Sequence, residues 1–338
     1  MRTVAALAFL FLAAAACKKD DDGDERENMS GSVNFDFPTY AVAGQRVETY
    51  ASGVRVPADP EYMWVSHDME IGPTDTVYSQ SIAFNLPEEA GEYSISVFAM
   101  SPEYYSLTKT ADVHVISVED KDISGTGRAD EVFEDPRDGE SYDVVSYGSL
   151  QWFTQNLRYS GTGADTLGRA YDNSDGLDMV FGRLYTWNEA TGGVSGSGLG
   201  GGPQGACPDG WSVPTVEDWE DLAYAVSGVE ADFYSVWDSL GNLMSAPIAF
   251  SGNTMWPYSP DNVHANTTRW NGLPAGNARD SYGYYENIAE YGMWWAASEL
   301  ENGMVPYRFI YYDAPTFDVY YTDRDSYAVS VRCVRVIE

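Results

Sequence analysis

Three histidines, three cysteines and 52 acidic residues are the groups of this 338-residue chain that could do acid–base or covalent work. Their spacing gives most of them nothing to do. His67, His114 and His264 stand alone, none in the His-Glu-x-x-His arrangement that puts two imidazoles on one metal. No Gly-x-Ser-x-Gly nucleophile elbow occurs. Carboxylate pairs of the kind that hydrolyse glycosides arise by chance among so many acids. Residues 192–205 hold eight glycines but lack a phosphate loop's lysine and follow no clear strand, so they read as a flexible insertion. Asp172-Asn173-Ser174-Asp175-Gly176-Leu177-Asp178 gathers oxygens without the alternating spacing or distal Glu of an EF-hand loop. No catalytic residue and no cofactor is expected; structural calcium on that cluster is the alternative.

Aromatic rings offer a different chemistry, and the chain has 25 Tyr and 10 Trp. Trp152, Trp187, Trp211, Trp219, Trp294 and Trp295 read as core, where large rings contribute most. Residues 250–269 differ: Trp256, Pro257, Tyr258 and His264 lie among Ser, Asn, Gly and Thr without periodicity. Loops on a rigid scaffold concentrate binding residues, and apolar rings with polar tips suit sugar faces. Trp256, Tyr258 and Trp270 are therefore the expected ligand contacts, against the alternative of loop aromatics tucked onto the surface.

The N-terminus supplies an address. Arg2 precedes an apolar run over residues 4–16, too short to span a bilayer, which closes as Ala14-Ala15-Ala16-Cys17. This resembles the lipobox of bacterial lipoproteins, which implies removal of residues 1–16 and lipidation of Cys17. Residues 17–30 begin Cys17-Lys18-Lys19-Asp20-Asp21-Asp22 and are too polar to repay ordering, so they read as a tether. A lysine followed by acids at this point is similar to the surface-export signal of Bacteroidota lipoproteins, which implies an outer-membrane protein facing outward. The net charge of -33 argues against nucleic acid and against anionic headgroups, leaving the lipid as the membrane contact. With Cys17 lipidated, Cys207 and Cys333 form an even pair in an oxidising compartment. A bridge is expected, worth roughly 5 kcal/mol in the chain-entropy account; two buried free thiols are the alternative.

Composition then divides the chain, since only Trp64 of the ten tryptophans precedes residue 150. Residues 31–118 show short period-two runs, Val33-Phe35-Phe37, Tyr62-Trp64, Tyr93-Ile95-Val97 and Val113-Val115, broken by Pro57, Pro73, Pro87 and Gly91. A Trp on an early-middle strand and Gly91-Glu92-Tyr93 entering a late one are sandwich features. Glu89-Ala90-Gly91-Glu92-Tyr93-Ser94-Ile95-Ser96-Val97 resembles bacterial Ig-like domains of the polycystic-kidney-disease type, which implies an all-β Ig-like sandwich acting as a spacer. Residues 119–131 read as a linker between modules that should be independent.

Residues 132–338 carry the second module. Thr215 is placed to cap a helix whose first turn holds Glu217 and Asp218, with Trp219, Leu222, Ala223 and Val226 on one face. Asp218 stands where a capping box favours Glu or Gln. Alternation over residues 329–336 predicts a terminal strand. Six motifs in order, among them Gln151-Trp152-Phe153-Thr154-Gln155-Asn156-Leu157, Gly182-Arg183-Leu184-Tyr185-Thr186-Trp187, Cys207-Pro208-Asp209-Gly210-Trp211 and Gly292-Met293-Trp294-Trp295, resemble the Fibrobacter succinogenes major paralogous domain. A bridge from before a helix to the last strand is similar to C-type-lectin-like domains, which implies an α+β C-type-lectin-like fold with long irregular loops. Val213-Pro214-Thr215 through Trp219 also looks like formylglycine-generating enzymes. Those need two neighbouring reactive cysteines near the C-terminus, where this chain has only Cys333. The expectation is a non-catalytic surface lipoprotein binding a glycan, or alternatively a fimbria- or adhesin-associated component binding protein.

Overall fold

The computed structural model describes residues 26–117, 122–123, 129–162, 165–174, 176–250, 253–260 and 262–337. Cys17, the leader, the tether up to residue 25, Asp175 and much of the 119–131 segment lie outside them. What is described is mostly strand, in several sheets, with few helices.

Alternation builds the first module. Arg46–Tyr50 pairs antiparallel with Ser81–Asn85, burying Val47, Thr49, Ile82 and Phe84 between exposed neighbours. Past Gly91 the alternation of Tyr93, Ile95, Val97 and Ala99 runs on as far as Ser101. The strands there run far longer than the turn residues suggested, as an antiparallel pair of Gly91–Ser101 and Tyr104–Ile116. Glu61–Val65 and then Thr76–Tyr78 extend this sheet. At the centre Trp64 is fully buried, edge-on to Phe35 at 5.2 Å, and its Nε1 donates to the Ser79 carbonyl at 2.9 Å. The Tyr93 hydroxyl donates to the Glu89 carbonyl at 2.8 Å, fixing the corner that enters the long hairpin.

A strand at the end of the expected linker opens the sheet of the second module. Glu131–Glu134 pairs with Ser141–Tyr147, which pairs with Leu150–Phe153, and Val334–Val336 closes that sheet from the far end of the chain. Cys207 and Cys333 are bridged, 126 positions apart, and both are fully buried beside Trp211 and Phe153. The helix runs Val216–Ser227. Asp218 completes its capping box despite being the shorter acid: its Oδ2 accepts from Thr215 N at 2.8 Å, while Thr215 Oγ1 accepts from Asp218 N at 3.2 Å. Gly228 ends it in the left-handed region at φ 72°.

The predicted terminal strand is not continuous. Tyr327–Val329 pairs with Ala275–Arg279, Val334–Val336 belongs to the first-described sheet of this module, and the chain crosses between them. Arg332 is why. Its fully buried guanidinium needs acceptors, and it takes carbonyls of Phe153, Trp270 and Asn271 and the side chain of Asn156 from the interior.

The modules are also joined more closely than the sequence implied. Ile116 lies in one apolar cluster with Tyr171, Leu177, Val180 and Phe181, with Tyr40 and Val42 packed against it. Ser174 Oγ donates to Gln45 Oε1 at 2.6 Å across the same contact. Within the expected linker, Asp122–Ile123 pairs with Ile248–Phe250 of the second module.

Candidate ligand-binding surface

The three expected contact residues separate. Trp270 is fully buried, in T-shaped contact with Trp294 at 4.6 Å and beneath Arg332 at 4.4 Å. Trp256 is 2% exposed and stacked on His264 at 4.6 Å. Neither ring has a face left for a ligand, so a stacking role for Trp256 or Trp270 is corrected to a packing role. The reason lies in the polar residues around them, which satisfy buried turns instead of facing water. Asn266 and Asn271 bond each other through Nδ2 to Oδ1 at 2.6 Å and N to Oδ1 at 2.9 Å, and Asn262 Nδ2 donates to the carbonyls of Tyr312 at 2.6 Å and Ala314 at 3.0 Å. Tyr258 alone projects, 87% exposed. Ser259, next to it, donates to Asp313 at 2.6 Å, which holds this segment beside the turn closing a hairpin.

That hairpin carries an aromatic surface the sequence reading missed. Tyr291–Trp295, Val305–Tyr311 and Asp318–Thr322 form a three-stranded antiparallel sheet. One side, with Trp294, Arg308, Ile310 and Phe317, is core. The other is core at Met293, Trp295, Val305 and Tyr307, and emerges as Tyr291, Phe309, Tyr311 and Tyr320. Ring centroids follow one another: Tyr311 to Tyr291 at 4.6 Å, Tyr291 to Phe309 at 5.9 Å, Phe309 to Tyr307 at 6.2 Å, and Tyr307 to Tyr320 at 6.1 Å and Tyr327 at 5.6 Å. Tyr327 continues the row onto the neighbouring sheet, where it pairs with Arg279 and Arg279 with exposed Tyr284. Arg279 is clamped by both oxygens of Glu286, at 2.7 and 2.8 Å. Burial, then Glu290, raises the Tyr291 pKa; burial, and then neighbouring Tyr327, raises that of Tyr307. Tyr311 is pushed up to about 12, first by a hydrogen bond with Tyr312. At neutral pH these are neutral phenols, each with an apolar ring and a hydroxyl that donates and accepts. Six aromatic residues spread over residues 291–327 leave only the alternation of tyrosines along each strand as a sequence signal.

The remaining candidates are accounted for by contacts within the protein. A cleft of about 760 Å³ is lined by Gln151, Gln204, Trp211, Ser212 and Arg335. Arg335 covers the Trp211 ring at 4.5 Å and is held by Gln151 at 2.7 Å and Glu131 at 2.6 Å. The glycine-rich segment beside it is not a flexible insertion. Gly200 N donates to Asp218 Oδ1 at 2.6 Å, and a Cβ on Gly202 or Gly205 would collide with the carbonyl of Val213 or Ala190. Its glycines serve close backbone approach. In the oxygen cluster, Asp178 pairs with Arg183 at 2.8 Å, Asn173 accepts from the Tyr285 hydroxyl at 3.0 Å, and Ser174 bonds Gln45. Among the described residues no group of three or more His, Cys, Asp or Glu is placed to hold a metal. Nor is any helix there long and apolar enough to cross a membrane.

A search of curated proteins finds no match. The family model of the Fibrobacter succinogenes major domain matches residues 145–335, more than half of the chain. The match spans the bridged cysteines, the capped helix and the tyrosine-bearing sheet, so the chain belongs to the Fibrobacter succinogenes major domain family.

Proposed function

We propose that this is an outer-membrane lipoprotein, anchored through Cys17 and facing outward, whose second module binds an extracellular polysaccharide without catalysis. The first module, read as an Ig-like spacer, holds that head away from the membrane; the head is read as C-type-lectin-like. The observation that carries the binding proposal is the group of partly exposed rings Tyr311, Tyr291, Phe309 and Tyr320, set around buried Tyr307. It lies on a sheet whose other side is core, so its geometry is fixed before a ligand arrives and little ordering cost remains. Neutral phenols on a firm support suit sugar rings, which present apolar faces and hydroxyl edges. The buried Trp219 face of the capped helix and the Tyr93 corner are in keeping with the fold readings, and the bridge suits an oxidising exterior.

The test is retention of the mature chain without its lipidated Cys17, residues 18–338, on a glycan array and on insoluble polysaccharides. Tyr311→Ala and Tyr320→Ala should each weaken capture by about tenfold or more, as truncating a hot-spot aromatic does, at unchanged melting temperature. Capture of a surface protein through the same tyrosines, with no glycan bound, would favour the fimbria- or adhesin-associated reading instead, since tyrosine is equally suited to protein interfaces.

A further inference from the structure

Resting on the reading of the tyrosine surface as a polysaccharide site, we infer that it takes uncharged sugar chains and turns away polyanionic ones such as uronates or sulfated glycans. The argument is an inventory of cations. The chain has no lysine after Lys121, so from residue 131 onward every cationic side chain apart from His264 is one of ten arginines. Seven of these are ion-paired: Arg137 with Asp135, Arg158 with Glu140, Arg183 with Asp178, Arg269 with Asp130, Arg279 with Glu286, Arg324 with Glu299 and Arg335 with Glu131. Arg308 and Arg332 are buried against backbone carbonyls. Arg169 lies 5.3 Å over the Tyr282 ring and donates to the Gly168 carbonyl. Carboxylate and sulfate recognition normally rests on a guanidinium or ammonium free to clamp the anion. This module has committed its guanidinium groups elsewhere.

Around the tyrosines the charge is of the opposite kind. Asp318 stands cross-strand from Phe309 on the same side of the sheet. Glu290 precedes Tyr291, Asp313 lies in the turn after Tyr311 and Tyr312, and Asp323 and Asp325 precede Tyr327; all four are exposed. The two nearby cations, Arg279 and Arg324, are neutralised by Glu286 and Glu299. An anionic chain laid on the rings would meet several like charges and only cations already paired, a juxtaposition that turns wrong partners away at an interface. A neutral chain keeps the stacking and can use the carboxylates as hydrogen-bond acceptors for its hydroxyls.

Affinity electrophoresis of the mature chain tests this, in chelator so that no divalent ion bridges carboxylates. The probes are galactomannan, laminarin and hydroxyethylcellulose, each also used after oxidation of its primary hydroxyls to carboxylates. At least one neutral polymer should retard the protein, its oxidised form should bind at least about tenfold more weakly, and the gap should shrink at molar salt, where screening reaches about 3 Å. Glu290→Gln with Asp318→Asn should recover binding of the oxidised form. An oxidised polymer binding as tightly as its neutral parent overturns the inference while leaving the site intact. Retardation by no polymer, or retardation that survives Tyr311→Ala and Tyr320→Ala, overturns the site reading and the selectivity with it.

Discussion

Arg332 holds its guanidinium 4.4 Å from the centre of the Trp270 ring and donates to the carbonyl of the same residue at 2.8 Å. Asn156 Oδ1 at 2.7 Å, Phe153 O at 3.2 Å and Asn271 O at 2.6 Å take three more of its donors, and none of these partners is a carboxylate. One charged side chain thus ties the crossing segment before the last strand to the strand ending at Phe153 and to the 270–271 segment. Burial alone pulls its pKa down to about 9, still protonated at neutral pH. The cation is tolerated because every partner is a fixed dipole.

Removing it should be costly. Arg332→Ala leaves buried carbonyls without donors and should lose roughly 3–5 kcal/mol by denaturant unfolding, the range for breaking a buried charged network. Arg332→Lys should recover little, since an ammonium cannot reach acceptors spread around a planar fork. Near-wild-type stability of either variant would show that Arg332 is not the organiser of this crossing.

The bridge makes a second test. Cys207 and Cys333 should take up a thiol label only after denaturation and reduction. Cys333→Ser should destabilise the second module by up to about 5 kcal/mol, the loop-closure limit for so long a loop. Because Ile116, Tyr40 and Val42 share a cluster with Tyr171 and Phe181, the melting of the first module should shift as well. An unmoved first transition would mean that the shared cluster adds no coupling.

How much of this could be read from the sequence depended on the range of the signal. Thr215 and the Trp219 face announce their helix within one or two turns, and the cysteine pair was decided by counting. The breaks came where residue type misled about environment. Asn262, Asn266 and Asn271 look solvated and are instead bonded to turns in the interior, so the tryptophans among them looked free to bind. Arg332 looks like a surface position on an alternating strand and is fully buried. Tyr291, Phe309, Tyr320 and Tyr327 become one surface only through strand register, which no local pattern states.

His264 gives a pH dependence. Its imidazole is half-buried under Trp256, its Nδ1 is 2.7 Å from Ser245 Oγ, and burial drives its pKa down to about 4. The unfolded chain, near 6.5, binds this proton first, so stability is intact above pH 6.5 and falls between 6.5 and 4 as acid is added. The loss should be at most about 3 kcal/mol. His264→Gln should flatten that part of the stability–pH curve. If the slope is the same in the variant, other groups carry it.

The address is tested apart from the fold. Cys17→Ala should leave the protein unlipidated and lost from the membrane fraction, and protease added to intact cells should digest the wild type. Protection in intact cells with digestion after lysis would place the protein inside the envelope.

Trp256 and Tyr258 stand two residues apart and should behave oppositely. Trp256 is packed on His264 in the cluster that also holds Trp219, Trp270 and Phe317. Trp256→Ala should therefore cost roughly 3–5 kcal/mol through the cavity it leaves, as Trp219→Ala should, and any loss of ligand capture should track unfolding. Tyr258→Ala removes an exposed ring and should move stability by less than about 0.5 kcal/mol. Because Ser259 ties this segment to Asp313 at the end of the tyrosine-bearing hairpin, Tyr258→Ala should weaken polysaccharide capture at an unchanged melting temperature. Unfolding and capture measured on the same three variants separate the two roles. Capture unaffected by Tyr258→Ala would confine the site to the sheet, and a stable Trp256→Ala with weakened capture would return Trp256 to the ligand.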